Sequence, residues 1–398
     1  MRSTAVALSG WAHDLVPTTA DLVLAERSLA DTMAVTLAAR EHPVAGLAAD
    51  VLGEGGRWAA TGHVLDFDDL HMPSTTHISA VCVPTALATG GGARAYLAAA
   101  GVMARLGTAL GWSHYSAGWH ATCTAGAPAA AAGAAVALGL TGDRIATAMA
   151  LAVPAAGGVQ RAFGTDGKSL QVGFAVDAGI RAARLAATGA TADPEALDDW
   201  LALAGGDPGR LDLGGPAVPG GLAIKMYPCC YALQRPIAAL TALAEERSLD
   251  PSEVSQIDMR TPAGTVVPLI HHQPSTGLQG KFSLEYAAAA ALLDRYPGFA
   301  SFTDAAVRRD AAVRLTALVR ADLTEGGEDL LDGELHATIT MADGTASRTA
   351  MRYPPGSPAR PPTTEQLKAK LDDCIAGLDT DPATWGFDTA ADLLRRYL

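Results

Sequence analysis

Residues 18–41 read TTADLVLAERSLADTMAVTLAARE. An acid stands near the start, and apolar residues then recur at three- and four-residue spacing, the period of one helix face. The same pattern repeats outward along the chain. AYLAAAGVMARLGTALGW (95–112), PAAAAGAAVALGL (128–140), GDRIATAMALAV (142–153) and GFAVDAGIRAARLAATG (173–189) all carry it, and several stop at glycine as helix C-termini do. Helical periodicity dominates from about Thr19 to Gly205, and its Ala-rich segments predict a close-packed helical bundle.

The character changes after Gly205. GGDPGRLDLGGPAVPGG (205–221) is a Gly/Pro-rich boundary. QIDMRTPAGTVVP (256–268) and ELHATITMADGTASRTAMRYP (334–354) follow. The second alternates with period two through HATITM, turns at Asp343-Gly344 and alternates again, which predicts a hairpin. FSLEYAAAAALLDRY (282–296) and DAAVRRDAAVRLTALV (304–319) read as helices between them. The expected fold class is mainly α: a large all-helical bundle domain over residues 1–222, with a second, smaller α+β lid domain over 223–355. A C-terminal helical segment, 356–398, is expected to return to the helical domain.

The composition excludes several classes. Apolar residues make up 49% of the chain and charged residues 18%, too apolar for a disordered chain. A net charge of −13, with no run of Lys and Arg, repels phosphate backbones and anionic lipid. Neither nucleic acid nor membrane is therefore an expected partner. Ala121–Leu140 is uncharged and long enough for a bilayer. It consists mostly of Ala and Gly, which contribute little burial free energy per residue, so it reads as the centre of a helical domain. The N-terminus is too short in apolar residues for a signal peptide. The five cysteines include no C-x-x-C pair, and Cys229 and Cys230 are adjacent. They read as reduced thiols in a cytoplasmic protein, not as disulfides or zinc ligands.

Lysine usage points to chemistry. The chain has five Lys against 24 Arg. Lys168, Lys225 and Lys281 stand singly among glycine, turn and aromatic residues, in FGTDGKSL, GLAIKMYPCC and LQGKFSLEY. Lys368 and Lys370 lie on an ordinary amphipathic tail helix. A site that needs a compact point charge or a proton exchanger resists Arg; the alternative is chance retention on a surface.

A second cluster, HVLDFDDLHMPSTTHIS (63–79), packs His63, His71 and His77 with Asp66, Asp68 and Asp69 between helices. Histidine titrates near neutral pH, and carboxylates orient imidazoles and raise their pKa. Hydrogen-bonded core histidines are the alternative. A metal site is not expected, because no H-E-x-x-H or comparable spacing occurs. A third group, HYSAGWHATCT (114–124), precedes the Ala-rich segment. His120, Thr122 and Thr124 then lie near a helix N-terminus, which either caps the helix or favours a bound anion. GGGARAY matches no phosphate loop, and no G-x-S-x-G elbow exists.

The order of HVLDFDDLH…TTHIS, GWHATCTAGAPAAAA, GTDGKSLQVGFAVDAG, IKMYPCCYALQRPI and GKFSLEYAAA resembles the MmgE/PrpD family over essentially the whole chain. That family includes 2-methylcitrate dehydratase, cis-aconitate decarboxylase and iminodisuccinate epimerase. The resemblance implies a helical domain with an α+β lid, a homodimer, and catalysis with neither metal nor organic cofactor. It also implies site residues. Asp66 matches the first acid of the D-F-D-D motif, His77 the T-H-P-S histidine and His120 the G-F-H-x-T histidine. Lys168 precedes the L-H-x-G segment, Lys225 belongs to K-x-Y/F-P, and Tyr286 is the aromatic of K-F-S-x-x-Y, with Lys281 beside it. Leu70, Ile78 and Gln171 replace the family's threonine, proline and histidine at their positions.

The expected activity is a dehydratase acting on a small polycarboxylic acid such as 2-methylcitrate. His120 or His77 removes a proton beside a carboxylate, and the other histidine or Tyr286 protonates the leaving hydroxyl. Lys168 and Lys225 hold carboxylates, and Asp66 orients an imidazole. Lys281, Thr122 and His71 contact substrate. A decarboxylase or an epimerase on the same scaffold is the alternative, and an inactive helical scaffold is a further one.

Overall fold

A computed structural model describes residues 3–398. The backbone divides into two compact units. The first takes the chain through Gln160, Asp166–Leu222 and Thr363–Leu398; the second takes Arg161–Thr165 and Ala223–Pro362. These bounds differ from the sequence-based ones in two places. Residues 161–165 fall in the second unit, where the Phe163 ring packs 5.0 Å from that of Phe282 and its carbonyl accepts a hydrogen bond from His271 Nε2 at 2.9 Å. The second unit also continues to Pro362 instead of ending at 355.

The first unit is helical. It contains α1 (Thr4–Asp14), α2 (Thr19–Ala38), α3 (Pro43–Ala49), α4 (Glu54–Val64), α5 (Ile78–Thr89), α6 (Gly92–Ser116), α7 (Ala121–Ala137), α8 (Gly142–Ala152), α9 (Gly167–Ala187) and α10 (Ala196–Leu203). The periodic stretch 18–41 contains α2, started by a capping box in which the Thr18 hydroxyl accepts from Asp21 N and the Asp21 carboxylate accepts from Thr18 N. Every residue from Ala121 to Val136 is buried. This helix, α7, packs against α6 on one side and α9 on another. Small residues allow that approach: a Cβ on Gly179 would stand 2.5 Å from Ala130 Cβ and 2.7 Å from the Ala127 carbonyl. No helix among the described residues is long and apolar enough to cross a membrane.

In the second unit, α11 (Tyr231–Arg247) is followed by β1 (Val254–Pro262), α12 (Gly277–Gly280), α13 (Leu284–Asp294), α14 (Asp304–Val307), α15 (Asp310–Ala317), β2 (Val319–Thr324), β3 (Leu335–Met341) and β4 (Ala346–Met351). The sheet order is β2-β1-β3-β4. The expected hairpin is β3–β4, turned at Asp343 and Gly344 (φ 87°). Strand β2 was not foreseen. It runs parallel to β1, with α12–α15 as the crossover, and lies at an edge where most of its residues are exposed, so it carries no apolar alternation. The expected helix over 304–319 is instead two short helices and the start of this strand. The chain then returns to the first unit as α16 (Thr364–Cys374) and α17 (Ala390–Tyr397), and α16 packs on α2.

Candidate active site

Four helix ends of the first unit meet at one ionic cluster. His63 lies in the last turn of α4, His77 caps the N-terminus of α5, His120 caps that of α7, and Lys168 is the second residue of α9. The His63 ring is 4.7 Å from that of His77 and stacks 5.7 Å from that of His120. The dipoles of three helix N-termini favour negative charge there.

The loop from α4 to α5 supplies the carboxylates. Asp66 adopts a left-handed backbone (φ 53°) that turns the chain straight after the helix, and its N–H donates to the His63 carbonyl at 3.0 Å. Further on, His71 N donates to Thr76 O at 2.8 Å and closes the loop. Asp69 accepts from the Ser79 hydroxyl and, at 3.1 Å, from Ser79 N, so it caps α5 from outside.

The contacts assign roles that differ from the expected ones. Asp66, expected to orient an imidazole, pairs with Lys168, Oδ1 to Nζ at 2.8 Å. Orientation falls to Asp68, whose Oδ2 lies 2.8 Å from His63 Nδ1 and 2.9 Å from His77 Nδ1. The His63 contact is a hydrogen bond; the His77 contact to the same oxygen is an ion-pair contact that does not meet hydrogen-bond geometry. A proton on each Nδ1 makes both contacts attractive, whereas a lone pair there would face a carboxylate. His63 Nε2 must then accept from the Lys168 ammonium, 2.6 Å away. With its proton on Nδ1, His77 has Nε2 as its basic nitrogen, and it is the most accessible member of the cluster, at 9% exposure against 0% for His63 and 2% for His120.

His120 has the opposite tautomer. Gln171 Oε1 accepts from Val159 N at 3.1 Å, which fixes the amide orientation. Its Nε2 therefore donates to His120 Nδ1 at 2.6 Å. The neutral ring of His120 then carries its proton on Nε2. Burial, joined by the positive charge of Lys168, holds His120 well below the usual histidine range. Burial likewise lowers His63. Burial works to raise Asp68, but His63 and His77 overcome it and hold the carboxyl well below its usual range.

Two expected substrate contacts have structural partners. Thr122 Oγ1 accepts from His77 N at 3.1 Å and so joins the start of α7 to that of α5. His71 uses both ring nitrogens, Nδ1 with Ser74 Oγ at 2.6 Å and Nε2 with the Pro219 carbonyl, and burial lowers it to about 4. It is a buried histidine with both ring nitrogens hydrogen-bonded.

Lys225, Lys281 and Tyr286 belong to the second unit. Lys225 is fully buried, on a stretch held by Gln234 Oε1, which accepts from Met226 N at 2.9 Å and Tyr227 N at 3.0 Å. Lys281 Nζ donates to the Pro228 carbonyl of the same stretch and lies 5.1 Å from the Phe302 ring centre. The Tyr286 hydroxyl donates to the Ser301 carbonyl, and burial pushes the phenol up to about 12. Acid catalysis by Tyr286 would have to break that bond.

His63, Asp66, Asp68 and His77 offer ligand atoms within 4.8 Å of one another, a donor set that suits a divalent transition ion. The Lys168 ammonium already sits beside Asp66 and His63, and a cation there would compete with it.

Residues 57–200 match the family model for the MmgE/PrpD N-terminal domain, and residues 227–384 match that for the MmgE/PrpD C-terminal domain. The chain belongs to the MmgE/PrpD family. No curated protein matches it. In this MmgE/PrpD chain the N-terminal match spans the whole cluster from His63 to Lys168, and the C-terminal match covers Lys281 and Tyr286. Lys225 falls just outside both.

Proposed function

We propose that the chain is a cofactor-independent hydro-lyase acting on a small polycarboxylic acid of the 2-methylcitrate type. The opposite protonation of two neighbouring histidines carries this reading: His77 presents a lone pair backed by Asp68, and His120 presents an N–H.

His77 Nε2 removes the proton beside a substrate carboxylate, and Asp68 stabilises the imidazolium that forms. The carbon's electron pair moves into the carboxylate, giving an enediolate-like centre. Lys168 and the three helix N-termini offset the charge that develops there. The hydroxyl on the adjacent carbon then leaves with the Nε2 proton of His120, giving water and an alkene, and the proton taken up by His77 replaces it, so both rings return to their starting states. Lys225 and Lys281 enter as further cations for substrate carboxylates, and homodimerisation enters as well, both on family membership alone. An epimerase uses the same pair as base and acid on opposite faces, and a decarboxylase uses the same cations while losing carbon dioxide. A scaffold would have no need to bury six ionisable side chains around one point.

The test is incubation with methylcitrate, citrate, cis-aconitate and iminodisuccinate, following ultraviolet absorbance of new conjugated double bonds, carbon dioxide release and chirality. Dehydration of a hydroxy acid is the expected outcome, lost in folded His120→Ala and Lys225→Ala variants. Full activity in both variants would end this mechanism.

A further inference from the structure

A further buried lysine stands behind the site. Lys370, placed by its sequence pattern on an ordinary tail helix, points from α16 into the first unit, and its side chain is 0% exposed. Its Nζ lies 2.7 Å from Asp31 Oδ1 of α2, donates to the Phe67 carbonyl at 2.8 Å and stands 4.1 Å from the centre of the Phe67 ring. Lys368, two residues earlier, shows the contrast: it is exposed and pairs with Asp372 on its own helix.

The Phe67 carbonyl belongs to the peptide that joins Phe67 to Asp68. On one side of Phe67, Asp66 holds Lys168; on the other, Asp68 holds His63 and His77. Asp66 is in a left-handed backbone that a non-glycine residue keeps only where its surroundings enforce it. The Lys370 bond is such a constraint, and it arrives from more than 300 residues away in sequence.

We propose that Lys370 is a positioning residue of the active site: from the C-terminal helix, it fixes the peptide between Asp66 and Asp68 and so sets the orientation of the His63 and His77 rings. Asp31 serves chiefly to neutralise the buried ammonium. Site geometry therefore depends on the C-terminal segment. The catalytic consequence rests on the acid–base reading above, whereas the geometric one does not.

The experiment uses the full chain and reads the imidazole nitrogens of His63 and His77 by NMR, together with thermal unfolding and kinetics. Lys370→Met is expected to shift both sets of signals. The double variant Asp31→Leu/Lys370→Met replaces the ion pair with apolar groups and is expected to recover thermal stability. It should still show the shifted signals, with kcat lowered roughly tenfold or more and KM within about threefold. Asp31→Asn, which keeps the Lys370–Phe67 bond, should retain the wild-type signals, and Lys370→Gln, which keeps a donor, should restore them in part. Wild-type signals in any folded Lys370→Met background overturn the proposal, as do equal shifts in Asp31→Asn. A wild-type chain that turns over no polycarboxylate would sink the proposed activity and leave the NMR comparison intact.

Discussion

Asp68 Oδ2 stands 2.9 Å from His77 Nδ1, the contact that holds the ring proton on Nδ1 in the proposed mechanism. In an Asp68→Asn variant the amide can present its N–H₂ to Nδ1 and stabilise the other tautomer. The shape is preserved, so the variant should fold. Its kcat should fall on the order of 10³-fold with KM little changed. Steady-state kinetics beside a thermal melt checks this, and near-normal kcat would show that the pair is only structural.

Lys168 and Asp66 form a pair with side chains 7% and 2% exposed. Removing one partner leaves the other charge buried. Lys168→Met should destabilise the chain by about 3–5 kcal/mol. Adding Asp66→Asn, which tolerates the left-handed backbone, should restore most of that loss without restoring turnover. Urea unfolding of the single and double variants measures the difference.

Gln171 is the donor that keeps His120 Nδ1 unprotonated. Gln171→Glu replaces that donor with an acceptor, which draws the proton to Nδ1 and raises the histidine pKa. The expected result is a kcat lower by roughly 10- to 100-fold and an acidic limb of the pH profile moved upward. Nitrogen-15 spectra of His120 report the tautomer directly.

Stability should depend on pH in two opposed ways. His71 is lowered to about 4 by burial, whereas an unfolded histidine titrates near about 6.5. Between those values the unfolded chain binds more protons. The contribution present above pH ~6.5 is therefore lost as pH falls toward ~4, by about 3 kcal/mol. His63 and His120 act in the same direction. Asp69 acts in reverse. Burial raises it to about 7, so its contribution is full below about pH 4 and declines as pH rises to about 7. Denaturant unfolding from pH 4 to 8 should show a flatter acid side in His71→Gln. Asp69→Asn should remove the opposing slope.

The helical unit and the β3–β4 hairpin were legible because their burial is one-sided and periodic. Strand β2 was not, since an exposed edge carries no alternation. At the site, Lys168, His77 and His120 stood out by residue type and by the company they keep. The division of labour between Asp66 and Asp68 did not, because two acids two residues apart are equivalent until a left-handed residue at 66 turns one toward Lys168 and leaves the other to the imidazoles. Gln171 appeared only as a departure from the family pattern, although it lies one helical turn beyond Lys168 on α9, where an (i, i+3) partner is placed to reach the same site. Lys370 shares an unremarkable helical pattern with Lys368, and only long-range packing separates the buried one from the exposed one.

In the proposed mechanism His77 takes the proton and His120 gives one. Proton exchange in deuterium oxide tests it most directly, with the hydroxy-acid substrates followed by NMR at the carbon beside the carboxylate. The account predicts that wild type and His120→Gln both exchange that hydrogen, whereas folded His77→Gln does not. Exchange at the wild-type rate in His77→Gln, or its loss in His120→Gln alone, would contradict it.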